Sequence, residues 1–110
     1  MKKSDSVDQI HASYTLDPLL TSEIRFFIMS LLAMYDEVDF GFLKKELGAT
    51  DGNLSSNLSR LEEAGYLAAK KQFVGKRPKT TYRISDLGLS QLQDYIESIH
   101  SVREKFVKRG

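Results

Sequence analysis

Between Leu47 and Thr50 the chain has only Gly48 and Ala49 in which to end one helix and begin the next. Upstream, Leu43 and Leu47 lie one helical turn apart with Lys44, Lys45 and Glu46 outward, which predicts a short helix from Gly41 or Phe42 to Leu47. Gly48 suits the left-handed residue that commonly closes a helix. Thr50 is a favoured N-cap for its successor. A short helix, a tight glycine turn and a capped second helix together make a helix-turn-helix.

The second helix, from Asp51 to Ala64, has Leu54, Leu58 and Leu61 at three-four spacing on its inner side. Its other side is read as Gly52, Asn53, Ser56, Asn57 and Arg60, with Ser55 and Ser59 on the flanks. An ordinary solvated helix surface favours Glu, Lys and Gln, whereas Asn, Ser and Gly each cost several tenths of a kcal/mol in helix propensity. Something other than helix stability sets these positions. Small hydrogen-bonding side chains allow close approach to base edges and phosphates, with Asn able to pair with adenine and Arg with guanine. The bland alternative is a weak, exposed helix.

After Gly65 the pattern turns to strands. Leu67, Ala69, Lys71 and Phe73 alternate on one side of the first, and Tyr82 and Ile84 supply apolar residues on the returning strand, with Thr81 and Arg83 facing away. Residues 74–79, with Gly75 and Pro78, fit the tip of the hairpin. Sixteen Lys and Arg against fifteen Asp and Glu give a net charge of only +1, but the distribution is uneven. Between Glu63 and Asp86 lie Lys70, Lys71, Lys76, Arg77, Lys79 and Arg83 without one carboxylate, the electrostatic footprint expected of a phosphate-binding surface. The lone Gly75-Lys76 pair lacks the spacing of a nucleotide-binding loop.

The flanks divide the 110 residues into a polar arm over 1–15, a folded unit over 16–84 and a last helix within 85–110. The arm is either a frayed terminus or a short helix that packs on a partner subunit. Asp17-Pro18 reads as a helix start, and Ile24, Phe27, Ile28, Leu31, Leu32 and Tyr35 form a core stripe on a helix from Thr21 or Ser22 to Tyr35. Phe26 and Met29 widen that stripe, as a dimer surface or as deep burial. Val38-Asp39-Phe40 alternates like a very short strand. The last helix, from a Ser85-Asp86 cap to about Lys105, carries Leu89, Leu92, Ile96, Ile99 and then Val102 or Phe106 in a stripe too long for one small core. Leu92, Ile96, Ile99 and Phe106 are therefore expected in a dimer seam, the alternative being a helix folded back on its own core.

With no cysteine, disulfides, thiolate metal sites and cysteine nucleophiles are excluded. His11 and His100 stand apart, no nucleophile sits beside a base, and neither a catalytic role nor a metal or other cofactor is expected. The N-terminus has no apolar run like that of a signal peptide. The apolar cluster from Phe26 to Tyr35 is too short to span a bilayer, so the chain reads as soluble and cytoplasmic.

Leu16-Asp17-Pro18-Leu19-Leu20, the run from Leu47 to Ser55 (LGATDGNLS), LEEAGY at 61–66 and FVGKRPKTTY at 73–82 resemble the small winged-helix transcriptional regulators related to the MarR and ArsR families. The resemblance covers roughly Leu16 to Ile99. It implies a mainly α fold with a small β-hairpin wing, a winged helix-turn-helix with a C-terminal dimerisation helix. It also implies a homodimer on pseudo-palindromic double-stranded DNA. By that resemblance Thr50, Asn53, Ser56, Asn57 and Arg60 lie on the recognition helix in the major groove, and Lys76, Arg77 and Lys79 on the wing at backbone or minor groove. Asp51 departs from a DNA-friendly surface and suits the helix N-terminus instead. The cysteine or histidine clusters of metal-sensing relatives are missing; a small-molecule effector, if one acts, would sit elsewhere, such as between the dimer helices. The rival reading is a winged-helix interaction module docking an acidic protein partner.

Overall fold

The computed structural model describes residues 16–107; the expected N-terminal arm and the basic end beyond Val107 lie outside them. The elements run α1 (Glu23–Met34), β1 (Val38–Asp39), α2 (Phe40–Leu47), α3 (Asp51–Glu63), β2 (Leu67–Val74), β3 (Arg77–Ile84) and α4 (Asp86–Val107). Among the described residues, four helices and a three-stranded antiparallel sheet make a winged helix, as expected.

Local chemistry accounts for most boundaries. Ser22 caps α1, its hydroxyl accepting from the Arg25 amide at 3.4 Å. Asp39 caps α2 by accepting from Phe42 at 2.8 Å, and Thr50 caps α3 by accepting from Asn53 at 3.2 Å. Gly48 lies in the left-handed region at φ +60°, where a side chain would be strained. The start expected at Asp17-Pro18 is corrected: residues 17–20 form a turn, closed by Leu20 N–H donating to the Asp17 carbonyl at 3.0 Å. Asp17 does accept from a following amide, that of Leu19 at 2.9 Å, but a helix does not follow. Its carboxylate is buried instead, taking the Tyr66 hydroxyl and, at 3.1 Å, the Gln91 amide.

The core joins one stripe from each helix to the root of the sheet. Ile28, Met29 and Leu32 of α1 meet Leu43 of α2, Leu54, Leu58 and Leu61 of α3 and Leu92 of α4. Met29 is thus deeply buried and contributes to no outer surface. Leu92, only 3% exposed, belongs to this core, which removes it from the expected dimer seam. The first turns of α4 lie against α1 and send Leu92 into the core, while Leu87 and Leu89 stay exposed.

In the sheet, order β1-β3-β2, β1 meets β3 only at Val38↔Tyr82 and Asp39↔Thr81. β2 and β3 continue past it from Leu67↔Ile84 to Val74↔Arg77, so the outer hairpin is two-stranded. Pro78, opposite Phe73, lies on that outer part, where its missing N–H interrupts no further ladder. The sequence pattern put Thr81 on an outward side. In the structure β1 covers it, it is buried, and its hydroxyl donates to Glu37 Oε1 at 2.5 Å.

Gly88 fixes the seating of α4. A Cβ there would lie 2.0 Å from the Tyr66 carbonyl oxygen and 2.8 Å from Met29 Cε. Because the obstacle is backbone, Gly88→Ala should cost about 1–3 kcal/mol, at the upper end of that range. Gly52→Ala faces open space and should instead gain roughly 0.5–1 kcal/mol. Urea midpoints of the two variants check the contrast.

The Tyr66 phenol is held above its ordinary pKa, first by burial and then by its bond to Asp17. Unfolded tyrosine ionises near about pH 10. The stability from this group is therefore complete below that value and is lost as pH rises through the higher folded pKa. Tyr66→Phe should flatten the fall in urea midpoint between about pH 9 and 11, leaving the share due to Tyr82, raised by burial and by Glu62.

Candidate nucleic-acid interface

The face of α3 turned away from the core presents Asp51, Gly52, Asn53, Ser55, Ser56, Ser59 and Arg60, all exposed, with no large apolar side chain among them. Thr50, just ahead of the helix, is also exposed, though its hydroxyl oxygen is engaged in the cap. Asp51 is paired with Lys44 at 2.8 Å across the turn, which offsets the one negative charge at this end. It also lies in the first turn, where the helix dipole favours an anion.

Asn57 does not share that face. It is 7% exposed and lies on the inward stripe with Leu54, Leu58 and Leu61. The expectation that it projects outward is corrected, and the reason was in the spacing: 54, 57, 58 and 61 follow the three-four rhythm of a buried stripe. Its polarity is accommodated because its amide is occupied. Arg25 Nη1 donates to Asn57 Oδ1 at 2.8 Å, and Asn57 Nδ2 donates to Asn53 O at 2.8 Å and to Asn53 Oδ1 at 3.0 Å.

Arg25 is the residue that the sequence reading missed. Its Nε donates to the Leu19 carbonyl at 2.7 Å, so the guanidinium bridges the turn before α1 to the middle of α3. Burial, and secondarily the nearby Arg60 cation, push its pKa down from the ordinary arginine value. It remains charged, since guanidinium loses its proton only far above physiological pH. Arg25 and Arg60 therefore raise the positive potential beside α3. The clue in the sequence was a lone arginine inside the apolar pattern of α1.

The hairpin carries further cations. Lys76 lies in the two-residue tip and Arg77 opens β3, both exposed, while Lys79 approaches Asp39 at 3.8 Å. Lys79 is the least available of the three expected wing contacts. Phe73 alternates onto the same side of β2 as the buried Leu67, yet it is 74% exposed, because the hairpin has left the body of the fold at that point. It stands opposite Pro78 and next to the exposed Val74.

The family model for winged helix DNA-binding domains matches residues 24–102. This chain belongs to that family. An uncharacterized protein of Methanocaldococcus jannaschii is 36% identical over 81 residues, covering 74% of this chain and 88% of its own. Among solved structures, the transcriptional regulator homologue from Pyrococcus horikoshii superposes with a TM-score of 0.77 at 26% identity, covering 93% and 97% of the two chains. A protein from Enterococcus faecalis assigned to the MarR family of transcriptional regulators shares the fold at 20% identity and a TM-score of 0.67, over 99% of this chain and 92% of that one. In the winged helix frame, α2 and α3 form the helix-turn-helix and β2–β3 the wing. Among the described residues no helix is long and apolar enough to cross a membrane, and no group of three or more His, Asp or Glu gathers as a metal site.

Proposed function

We propose that the protein is a sequence-specific, cytoplasmic transcriptional regulator that binds pseudo-palindromic operator DNA as a homodimer. The observation that carries this reading is the exposed face of α3, where small polar groups, Asn53, Ser56 and Arg60, stand without a large apolar anchor. A base-reading helix needs that surface, because bulky side chains would hold it off the groove floor. Asn53 and Arg60 read base edges, and Thr50 and Ser56 make close polar contacts. Lys76 and Arg77 on the wing, with Lys79 behind them, take backbone phosphates, which supply affinity and register. Two copies related by a two-fold axis would put their α3 helices about 34 Å apart on successive major grooves.

The distal half of α4 supports the two-fold arrangement. Ile96 and Ile99 are each 47% exposed and Phe106 70% exposed, and the helix leaves its own core after Leu92 and Tyr95. An apolar stripe of that length is the kind of surface that a second copy covers. A cleft between α1 and α4, lined by Leu20, Phe26, Tyr95, Ile96 and Ile99, is where an apolar effector would fit. A second reading, docking of an acidic protein partner, is favoured by the exposed Phe73 and Val74 beside the wing cations, since aromatic anchors typify protein interfaces.

Selection of bound sites from a random DNA pool separates the two readings: a symmetric motif is expected, and no enrichment overturns operator binding. Arg77→Ala should weaken binding to all sequences alike and reduce the salt slope by about one unit. Arg60→Ala should cost about 1–3 kcal/mol on the selected site and much less on random DNA. Equal losses of Arg60→Ala on both would remove it from base readout. For assembly, Ile96→Glu combined with Ile99→Glu should turn a sedimenting dimer into a folded monomer, and an unchanged dimer would move the interface away from α4.

A further inference from the structure

We infer that Arg25 and Asn57 act as a positioning relay that fixes the Asn53 side-chain amide with its N–H groups outward, so that Asn53 reads base acceptors and not the amino groups of adenine and cytosine. The inference rests on the reading of α3 as the recognition helix. Its physical basis is the order of donors and acceptors. Arginine only donates, so the 2.8 Å contact from Arg25 Nη1 requires the Asn57 oxygen to face it. The Asn57 nitrogen must then point the other way, and both its hydrogens are spent on Asn53, one on the backbone carbonyl and one on Oδ1. A backbone carbonyl only accepts, so the two ends of the relay enforce the same orientation of Asn57.

That orientation passes to Asn53. Its Oδ1 turns toward Asn57 to receive a hydrogen, which leaves Nδ2, the donor end, without a partner among the described residues on an exposed side chain. The relay is anchored at its far end, where Arg25 Nε donates to the Leu19 carbonyl at 2.7 Å. In the major groove the keto acceptors are guanine O6 and thymine O4, while adenine N6 and cytosine N4 are donors. With the N7 of either purine as a further acceptor, a donor-out Asn53 matches guanine, thymine or adenine N7 and finds no acceptor on cytosine. With Oδ1 occupied, the bidentate pairing to adenine N6 and N7 that an unconstrained asparagine favours is closed.

The relay can be reversed by one substitution. In Asn57→Asp the carboxylate still accepts from Arg25 but has no hydrogen to give. Asn53 Nδ2 then turns inward to donate to it, and Oδ1 faces the base. Site selection is run on the full-length wild type, on Asn53→Ala and on Asn57→Asp. The position at which Asn53→Ala loses discrimination, by roughly tenfold, marks the base that Asn53 reads. Because reversing the amide exchanges donor for acceptor, Asn57→Asp is expected to change the base pair preferred at that position. An unchanged preference in Asn57→Asp overturns the relay while leaving operator binding intact. No enriched motif in the wild type overturns both.

Should Asn57→Asp fail to fold, side-chain amide hydrogen exchange in the free wild-type protein decides the matter without DNA. The Asn57 side-chain hydrogens are expected to exchange more slowly than those of Asn53 by tenfold or more. Equal or inverted rates overturn the relay.

Discussion

The buried carboxylate of Asp17 ties together three parts of the chain that lie far apart in sequence. It receives the hydroxyl of Tyr66 and the amide of Gln91, and these two are themselves 3.2 Å apart. Each comes from a different place: the turn before α1, the junction between α3 and β2, and the second turn of α4. A carboxylate removed from water is tolerated only where hydrogen bonds replace its hydration, so the three segments are held in one relative position. The same junction is tightened from the backbone side, where the Tyr66 carbonyl takes the Ser85 amide at 3.0 Å and abuts Gly88. Both ends of the hairpin and the start of α4 are thereby set against the core.

The candidate DNA-binding face inherits its geometry from that arrangement. The turn that Asp17 closes presents the Leu19 carbonyl to Arg25, and Arg25 in turn holds Asn57 in the inward stripe of α3. A helix whose outer face carries Gly, Asn and Ser gains little from intrinsic propensity. Its rigidity comes from the leucines packed beneath it and from this polar bridge to α1. The wing follows a different logic. Its root is buried through Leu67, Tyr82 and Thr81, while its outer half is two-stranded and exposed, suited to reaching along a phosphate backbone.

Much of the fold was legible because local rules and tertiary packing agree in it. Gly48 at a left-handed position, the Thr50 cap and the leucine spacing of α3 all act within a few residues, and the structure uses each as the pattern suggested. The short strand at Val38-Asp39 was also visible, although the residues it would pair with were not. Polarity does not by itself mark exposure in this chain. Asn57, Asp17 and Thr81 are all buried, each satisfied by a partner more than thirty residues away: Arg25, Tyr66 and Glu37. Leu92 is the opposite case, since an apolar stripe does not reveal where its own core stops and an outer surface begins.

By itself the sequence determined the succession of elements, the helix-turn-helix with its tight glycine turn, and the concentration of positive charge on the hairpin, because periodicity, capping and charge are properties of neighbouring residues. Only the tertiary structure decided which side chains face outward on α3, that Arg25 belongs with them, and that Phe73 stands uncovered on the wing. These depend on which distant group meets a given donor, acceptor or apolar face. A hydrogen bond between residues thirty or seventy positions apart leaves no local signature.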